Sequence, residues 1–282
     1  MSVITFVNSM EEETGKTMSL VAIATNMAIE YNNKILIIST TNKEGKLKSC
    51  YFEDKEAKKI RLGLFGDNKS IVDNGNGIEG IVRIARSNKL TPEMITNYTR
   101  VVFKDRLEVL LGVEKTDEAN EKEIAEEYID LISVANMYYD KVFVDLDDNL
   151  DEQIRQQIVN RSDLVIVNTS QNYNSLKKLK EIKEKSELLK SPKSLILVGR
   201  YDKFSKYNSK NITRFLEEKN QVLTIPYNTL YFEATNEAGV PDLFLSLRKT
   251  IDSDDRNALF IEEIKRASEN ITYRLQELQS MI

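Results

Sequence analysis

Histidine is absent from all 282 residues. That excludes a histidine-based catalytic triad, a histidine metal site and an imidazole proton shuttle together. Cysteine is nearly absent too. Cys50 stands alone, so no intramolecular disulfide forms, which fits a reducing compartment. No apolar run approaches the ~20 residues of a membrane span. The first residues lack the charged-then-apolar layout of a signal peptide. The expected setting is cytoplasmic, with no integral membrane segment.

What remains is an ordinary globular balance, 41% apolar and 30% charged. The length suits one large α/β domain or two small ones. The net charge of −5 is unevenly spread. Between Lys177 and Lys210 ten Lys and one Arg face three Glu and one Asp. Between Asp117 and Asp130 seven acids face one lysine. Both stretches read as solvated helix faces, or the first as a basic surface for an acidic partner. The basic stretch also holds Tyr201, Phe204 and Tyr207, and cations with aromatics suit nucleic acid.

The organising stretch is VITFVNSMEEETGKT, Val3 to Thr17. Val3–Asn8 reads as an apolar strand. Gly15-Lys16-Thr17 then opens a helix from Met18 to Tyr31, with Leu20, Ile23, Ala24, Met27, Ala28 and Tyr31 at helical spacing. Strand, loop, Gly-Lys-Thr and helix is the layout of a phosphate-binding loop. Free N–H groups at a helix start converge on one spot, and the helix dipole favours anions there. A lysine reaches the outer phosphates and a hydroxyl ligates Mg²⁺. The loop departs from G-x-x-x-x-G-K-[ST]: Met10 takes the first glycine's place, and Glu11, Glu12 and Glu13 follow. Carboxylates repel a triphosphate unless they turn to solvent. The alternative is a plain strand-to-helix turn that keeps Gly-Lys-Thr as a relic.

Further strands are expected at Lys34–Ser39, Leu107–Leu111, Lys141–Leu146, Leu164–Asn168, Ser194–Val198 and Val222–Ile225. Helices are expected at Gly77–Ser87, Thr91–Tyr98, Asn120–Tyr138, Leu150–Asn160, Ser175–Leu189, Asn211–Glu218, Thr229–Glu237, Val240–Ile251 and Asp255–Ile282. Residues 40–77 read as a hairpin or excursion ending in a flexible turn. This alternation predicts a doubly wound α/β fold, a mainly parallel sheet with helices on both faces, in one domain spanning 1–282. Ligands in such sheets bind at the carboxyl ends of the strands. The loops after Asn8, Ser39, Asp145, Asn168, Gly199 and Ile225 should therefore converge. Asp145 ends its strand where a carboxylate can hold water on Mg²⁺ or accept from Thr17, or can serve merely as a turn residue. The last helix places Phe260, Ile264, Ala267, Ile271, Leu275, Leu278 and Ile282 on one stripe. It is expected to pack on its own domain, with a dimer seam as the alternative.

These residues resemble the ParA/MinD superfamily of deviant Walker A, P-loop ATPases over nearly the whole chain. VITFVNSMEEETGKT stands where that family has a strand and KGGxGKT. YDKVFVDLDDNL looks like its YDxVxxD strand, and SDLVIVNTSQNYNSLKKLKEI like the next strand and helix. SLILVGRYDKF and VLTIPYNTLYFEATNEAGVP are similar to its later base-side stretches. GIEGIVRIARSNKLTPEMI followed by RLEVLLG is most similar to the pilus-associated TadZ/CpaE branch.

The resemblance implies ATP or ADP with Mg²⁺, held by Thr14, Gly15, Lys16, Thr17, Arg200 and Pro226, with Thr17 and Asp145 at the metal. It also implies a homodimer that positions cargo, through an adaptor protein of a pilus or secretion machine. Two departures bear on catalysis. Glu11 replaces the family's signature lysine, and Ser39-Thr40-Thr41-Asn42 replaces its Asp-x-Asp. Phosphoryl transfer depends on charge stabilisation and water positioning, so hydrolysis is expected to be weak or absent. The rival readings are an active partitioning ATPase that binds DNA through Lys177–Lys210, and a nucleotide-free scaffold.

Overall fold

The computed structural model describes residues 1–9, 14–41, 45–53, 77–86, 90–112, 118–248 and 255–281. Met10 to Glu13, Asn42, most of the 40–77 excursion and Ile282 lie outside the described residues.

Eight described strands form one sheet in the order β3-β4-β2-β5-β1-β6-β7-β8. They are β1 (Ser2–Asn8), β2 (Ile35–Ser39), β3 (Arg100–Phe103), β4 (Leu107–Leu110), β5 (Lys141–Asp145), β6 (Leu164–Ser170), β7 (Ser194–Tyr201) and β8 (Leu223–Pro226). All neighbouring pairs are parallel except β3 and β4. The fold is thus the doubly wound α/β class that the alternation of elements predicts. β1 sits at the centre, paired with β5 and β6, so its C-terminal tip opens onto the middle of the sheet edge.

The apolar runs are continuous because both faces are covered. Ile4 and Phe6 point into one layer, and Val3 and Val7 into the other. The first layer is built from α1 (Lys16–Glu30), α2 (Lys46–Tyr51) and the C-terminal helices α9 (Thr229–Ala234), α10 (Val240–Leu247) and α11 (Arg256–Ser280). The second contains α3 (Ile78–Ala85), α4 (Glu118–Ala135) and α5 (Glu152–Arg161). Beyond them lie α6 (Tyr173–Lys185), α7 (Glu187–Lys190) and α8 (Ser209–Phe215). Leu20, Ile23 and Met27 of α1 are fully buried. Each such side chain contributes about 1.5–3 kcal/mol of transfer free energy.

The apolar stripe of α11 is buried against its own sheet and α1. Phe260, Ile264, Ile271 and Leu275 belong to the same core cluster as Leu20 and Ile23. Self-packing, not a seam, is what the stripe does here.

Four local differences from the sequence reading have clear causes. Within 40–77, the described Lys46–Tyr51 is a helix rather than part of a hairpin. Leu47, Cys50 and Tyr51 fall at i, i+3 and i+4 and bury together beside α1. β3 went unforeseen because it is only four residues long and leaves Val101 exposed, so its alternation is short and one-sided. Ser175–Leu189 is two helices. Ser186 ends the first and caps the second by accepting from the Leu189 N–H. Finally, four of the eleven cations of the basic stretch are paired. Lys180 meets Glu217 and Lys183 meets Glu218, each at 2.7 Å. Lys177 and Lys190 pair with Glu181 and Glu187 at 3.9 and 3.7 Å.

Candidate nucleotide site

Gly15 turns the chain from the phosphate-loop stretch into α1. Its φ of 82° and ψ of 20° lie in the left-handed region, which costs an L side chain roughly 1–2 kcal/mol and glycine almost nothing. No side chain caps α1. By contrast Asp151, Asn172, Asn208, Asn228 and Asp255 cap α5, α6, α8, α9 and α11 with their own oxygens. The first-turn N–H groups of α1 therefore have no intrahelical partner and face the tip of the sheet.

A cleft of about 290 Å³ opens there. Thr14, Gly15, Lys16, Thr17, Asp145 and Arg200 all line it, as the sequence reading requires. Pro226 does not. It ends β8, pairs with Tyr201 in register, and stands outside the cleft lining. The end of β1, the loops after β2 and β5, and the end of β7 contribute to the lining through Asn8, Thr41, Asp147 and Arg200. The sequence reading did not single out Asn8, Thr41, Lys46 or Asp147 as site residues.

Asp145 is the hub. It is buried at the end of β5. Thr17 Oγ1 donates to its Oδ2 at 2.7 Å. Lys16 Nζ sits 3.3 Å from Oδ1 and donates to the Leu146 carbonyl. Oδ1 itself has no hydrogen-bond partner among the described residues. Thr40 N and Oγ1 both donate to the Asp145 carbonyl at 3.2 Å, and Thr40 Oγ1 accepts from the Asp147 N–H at 2.8 Å. The loop after β2 is thereby pinned to the loop after β5. It brings hydroxyls to the cleft, and no carboxylate from its described residues.

The other wall is equally tight. Thr14 Oγ1 donates to Asn8 Oδ1, and Asn8 Nδ2 donates to Asp148. At Gly199 an added Cβ would lie 2.3 Å from the Thr14 carbonyl oxygen, so only glycine lets β7 pass this close to the loop. Arg200 adopts a φ of 51° and lays its side chain over Gly15.

Two tyrosines hold α1 in place. Tyr51 donates to the Val21 carbonyl at 3.3 Å and shares a 2.8 Å hydrogen bond with Thr25 Oγ1. Tyr231 donates to the Met18 carbonyl at 2.6 Å. Burial raises the pKa of both phenols, so they stay neutral donors at any ordinary pH.

A hydroxyl, a buried carboxylate that shares one oxygen with it and the other with Lys16, and a rim of main-chain N–H groups fit a hard divalent cation shared with phosphate. Magnesium uses one or two carboxylates plus substrate oxygens rather than a closed protein cage. Among the described residues no group of three or more Cys, Asp or Glu side chains is gathered as a metal cage. Nor is any described helix long and apolar enough to cross a membrane.

No protein-family model matches the sequence, and a search of curated proteins finds no match. Solved structures do match. A ParA family ATPase from Chlorobium tepidum TLS superposes with a TM-score of 0.63 at 17% identity, covering 88% of this chain and 93% of that one. MinD with Mg-ADP from Pyrococcus horikoshii OT3 gives a TM-score of 0.62 at 15% identity, over 97% and 98%. A plasmid partition protein from Borrelia burgdorferi B31 bound to AMPPNP gives 0.58 at 16% identity, over 99% and 98%. At these identities the likeness is one of architecture: the chain has the fold of the ParA/MinD ATPases.

Proposed function

We propose that this chain binds ATP or ADP with Mg²⁺ in the cleft at the start of α1. The observation that carries this reading is the joint placement of an uncapped, left-handed Gly15 and the Thr17–Asp145 hydrogen bond of 2.7 Å. In this reading the N–H groups of residues 14–17 cradle phosphate, Lys16 turns from Leu146 toward the ligand, and Thr17 and Asp145 serve the metal. Arg200 lies toward the base. Magnesium, when bound, neutralises phosphate charge. The solved neighbours with Mg-ADP and AMPPNP support this, as nucleotide complexes of the same fold.

The chain's role is then that of a dimeric positioning or assembly factor, with a pilus or secretion machine as the cargo its closest sequence resemblance favours. Hydrolysis is weak or absent. Thr40 is locked in hydrogen bonds to the β5 loop, and Asp147 accepts from the N–H and side chain of Asn149 at 3.0 and 2.9 Å. The Thr40 hydroxyl is thus already engaged and brings no carboxylate to a water.

Calorimetry of the purified chain with millimolar magnesium ATP tests the binding. Heat that disappears in Asp145→Asn supports the reading, and no heat from the unaltered protein overturns it. Turnover of ~1 s⁻¹ or faster defeats the claim of weak hydrolysis.

A further inference from the structure

Three cations line the cleft: Lys16, Lys46 and Arg200. Lys16 is consumed internally by Asp145 and the Leu146 carbonyl. Lys46 and Arg200 make no ion pair with any described residue. They flank the start of α1 from opposite sides. Arg200 is the next-to-last residue of β7, and Lys46 opens the helix that follows β2. Those strands lie on opposite sides of β1 in the sheet, so the two cations meet the cleft from different sides, as an elongated anion requires.

The two ends of the cleft also differ. Lys46 shares its end with Thr41 and Asp147 and, toward β5, with Asp145. Arg200 lies against Gly15 at the other end. Asp145 lies opposite Ser39 at the paired tips of β5 and β2, and β2 is the strand that leads to Lys46, so the Thr17–Asp145 pair puts the metal side toward Lys46. Lys46 is also well anchored. Its carbonyl accepts from Ser49 Oγ and Cys50 Sγ, each at 2.9 Å. Ser49 Oγ is also 2.7 Å from the Thr235 carbonyl, and Leu47 and Cys50 are buried. The backbone is fixed while the ammonium group is free to reach inward.

We infer that Lys46 is a terminal-phosphate sensor, supplied by the same chain, that makes the cleft prefer a nucleoside triphosphate over a diphosphate. This deepens the nucleotide-binding reading above and rests on it. A charge-assisted contact to the outermost phosphate is made by a triphosphate and missed by shorter ligands.

The test is calorimetry of the full chain with magnesium AMPPNP, magnesium ADP and AMP. The variants are Lys46→Ala, Lys46→Arg and, as a charge control on the outer face of α6, Lys178→Ala. Lys46 is exposed, so an unchanged melting temperature checks the fold. Lys46→Ala is expected to weaken AMPPNP about tenfold and ADP less than about threefold. Lys46→Arg and Lys178→Ala should stay near the unaltered protein. Equal losses for AMPPNP and ADP, no loss for either, or a matching loss in Lys178→Ala overturns the inference while leaving nucleotide binding intact. Absence of binding by the unaltered chain overturns both.

Discussion

Replacing Lys16 with methionine should destabilise the ligand-free protein, because Lys16 has a structural job before any ligand arrives. Its side chain is 10% exposed and that of Asp145 is 6% exposed. Removing the cation leaves a buried carboxylate with Thr17 as its remaining hydrogen-bond donor. Breaking a buried pair typically costs 3–5 kcal/mol, and the open mouth of the cleft favours the lower end, about 3 kcal/mol. For a chain of this size that lowers the melting temperature by roughly 6–12 °C. The assay is calorimetric scanning without nucleotide at one scan rate and pH 7. Lys16→Met with Asp145→Asn, which removes both charges, should recover most of the loss, with a coupling of about 2 kcal/mol. A single variant melting within about 1 °C of the unaltered protein refutes the claim that Lys16 neutralises Asp145.

Gly199→Ala should cost about 1–3 kcal/mol and weaken nucleotide binding, since its Cβ would meet main chain at 2.3 Å. Thermal melting and calorimetry measure the two effects. Cys50 is pushed up from 9.0 to about 12 by burial first and by Asp145 second. The unfolded thiol therefore loses its proton before the folded one, so stability is full below pH 9 and falls as pH rises toward 12. The slope from this group is at most about 1.4 kcal/mol per pH unit. Melting temperatures across that range check it, and alkylation of Cys50 at pH 8 should occur only after unfolding. Lys180 and Lys183, held by Glu217 and Glu218 at 2.7 Å, should add little to any DNA affinity of this face. A titration against salt reads it, and a steep loss of tight binding as salt rises would show true phosphate contacts.

The fold was legible because its signals were redundant. Each buried parallel strand, such as Ile35–Ser39, is an unbroken apolar run between polar turns. Each long helix carries its own stripe, and Asp151, Asn228 and Asp255 announce helix starts. The floor of the cleft was legible for the same reason: Gly-Lys-Thr and the Asp145 strand tip are local patterns. The walls were not. Lys46 reaches the cleft because Leu47 and Tyr51 dock α2 against α1, and Thr41 because Thr40 is bonded to the end of β5, tertiary facts with no local signature. Gly199 reads as any glycine until Thr14 is seen beside it. Its place directly before Arg200, at a strand end facing the loop, was the one available hint.

The two phenols that grip α1 have a mechanical consequence. Their anchor points, the carbonyls of Met18 and Val21, lie on consecutive turns just behind the cleft. They tie the rod to two separate stretches of chain, 45–53 and 228–239. Those stretches are themselves stitched together, since the Ala238 N–H donates to the Ser49 carbonyl at 2.8 Å. The first helix is thus the axle of a braced frame. Its front end is thereby tied through Tyr231 to α9, whose Leu230 and Phe232 stand in solvent.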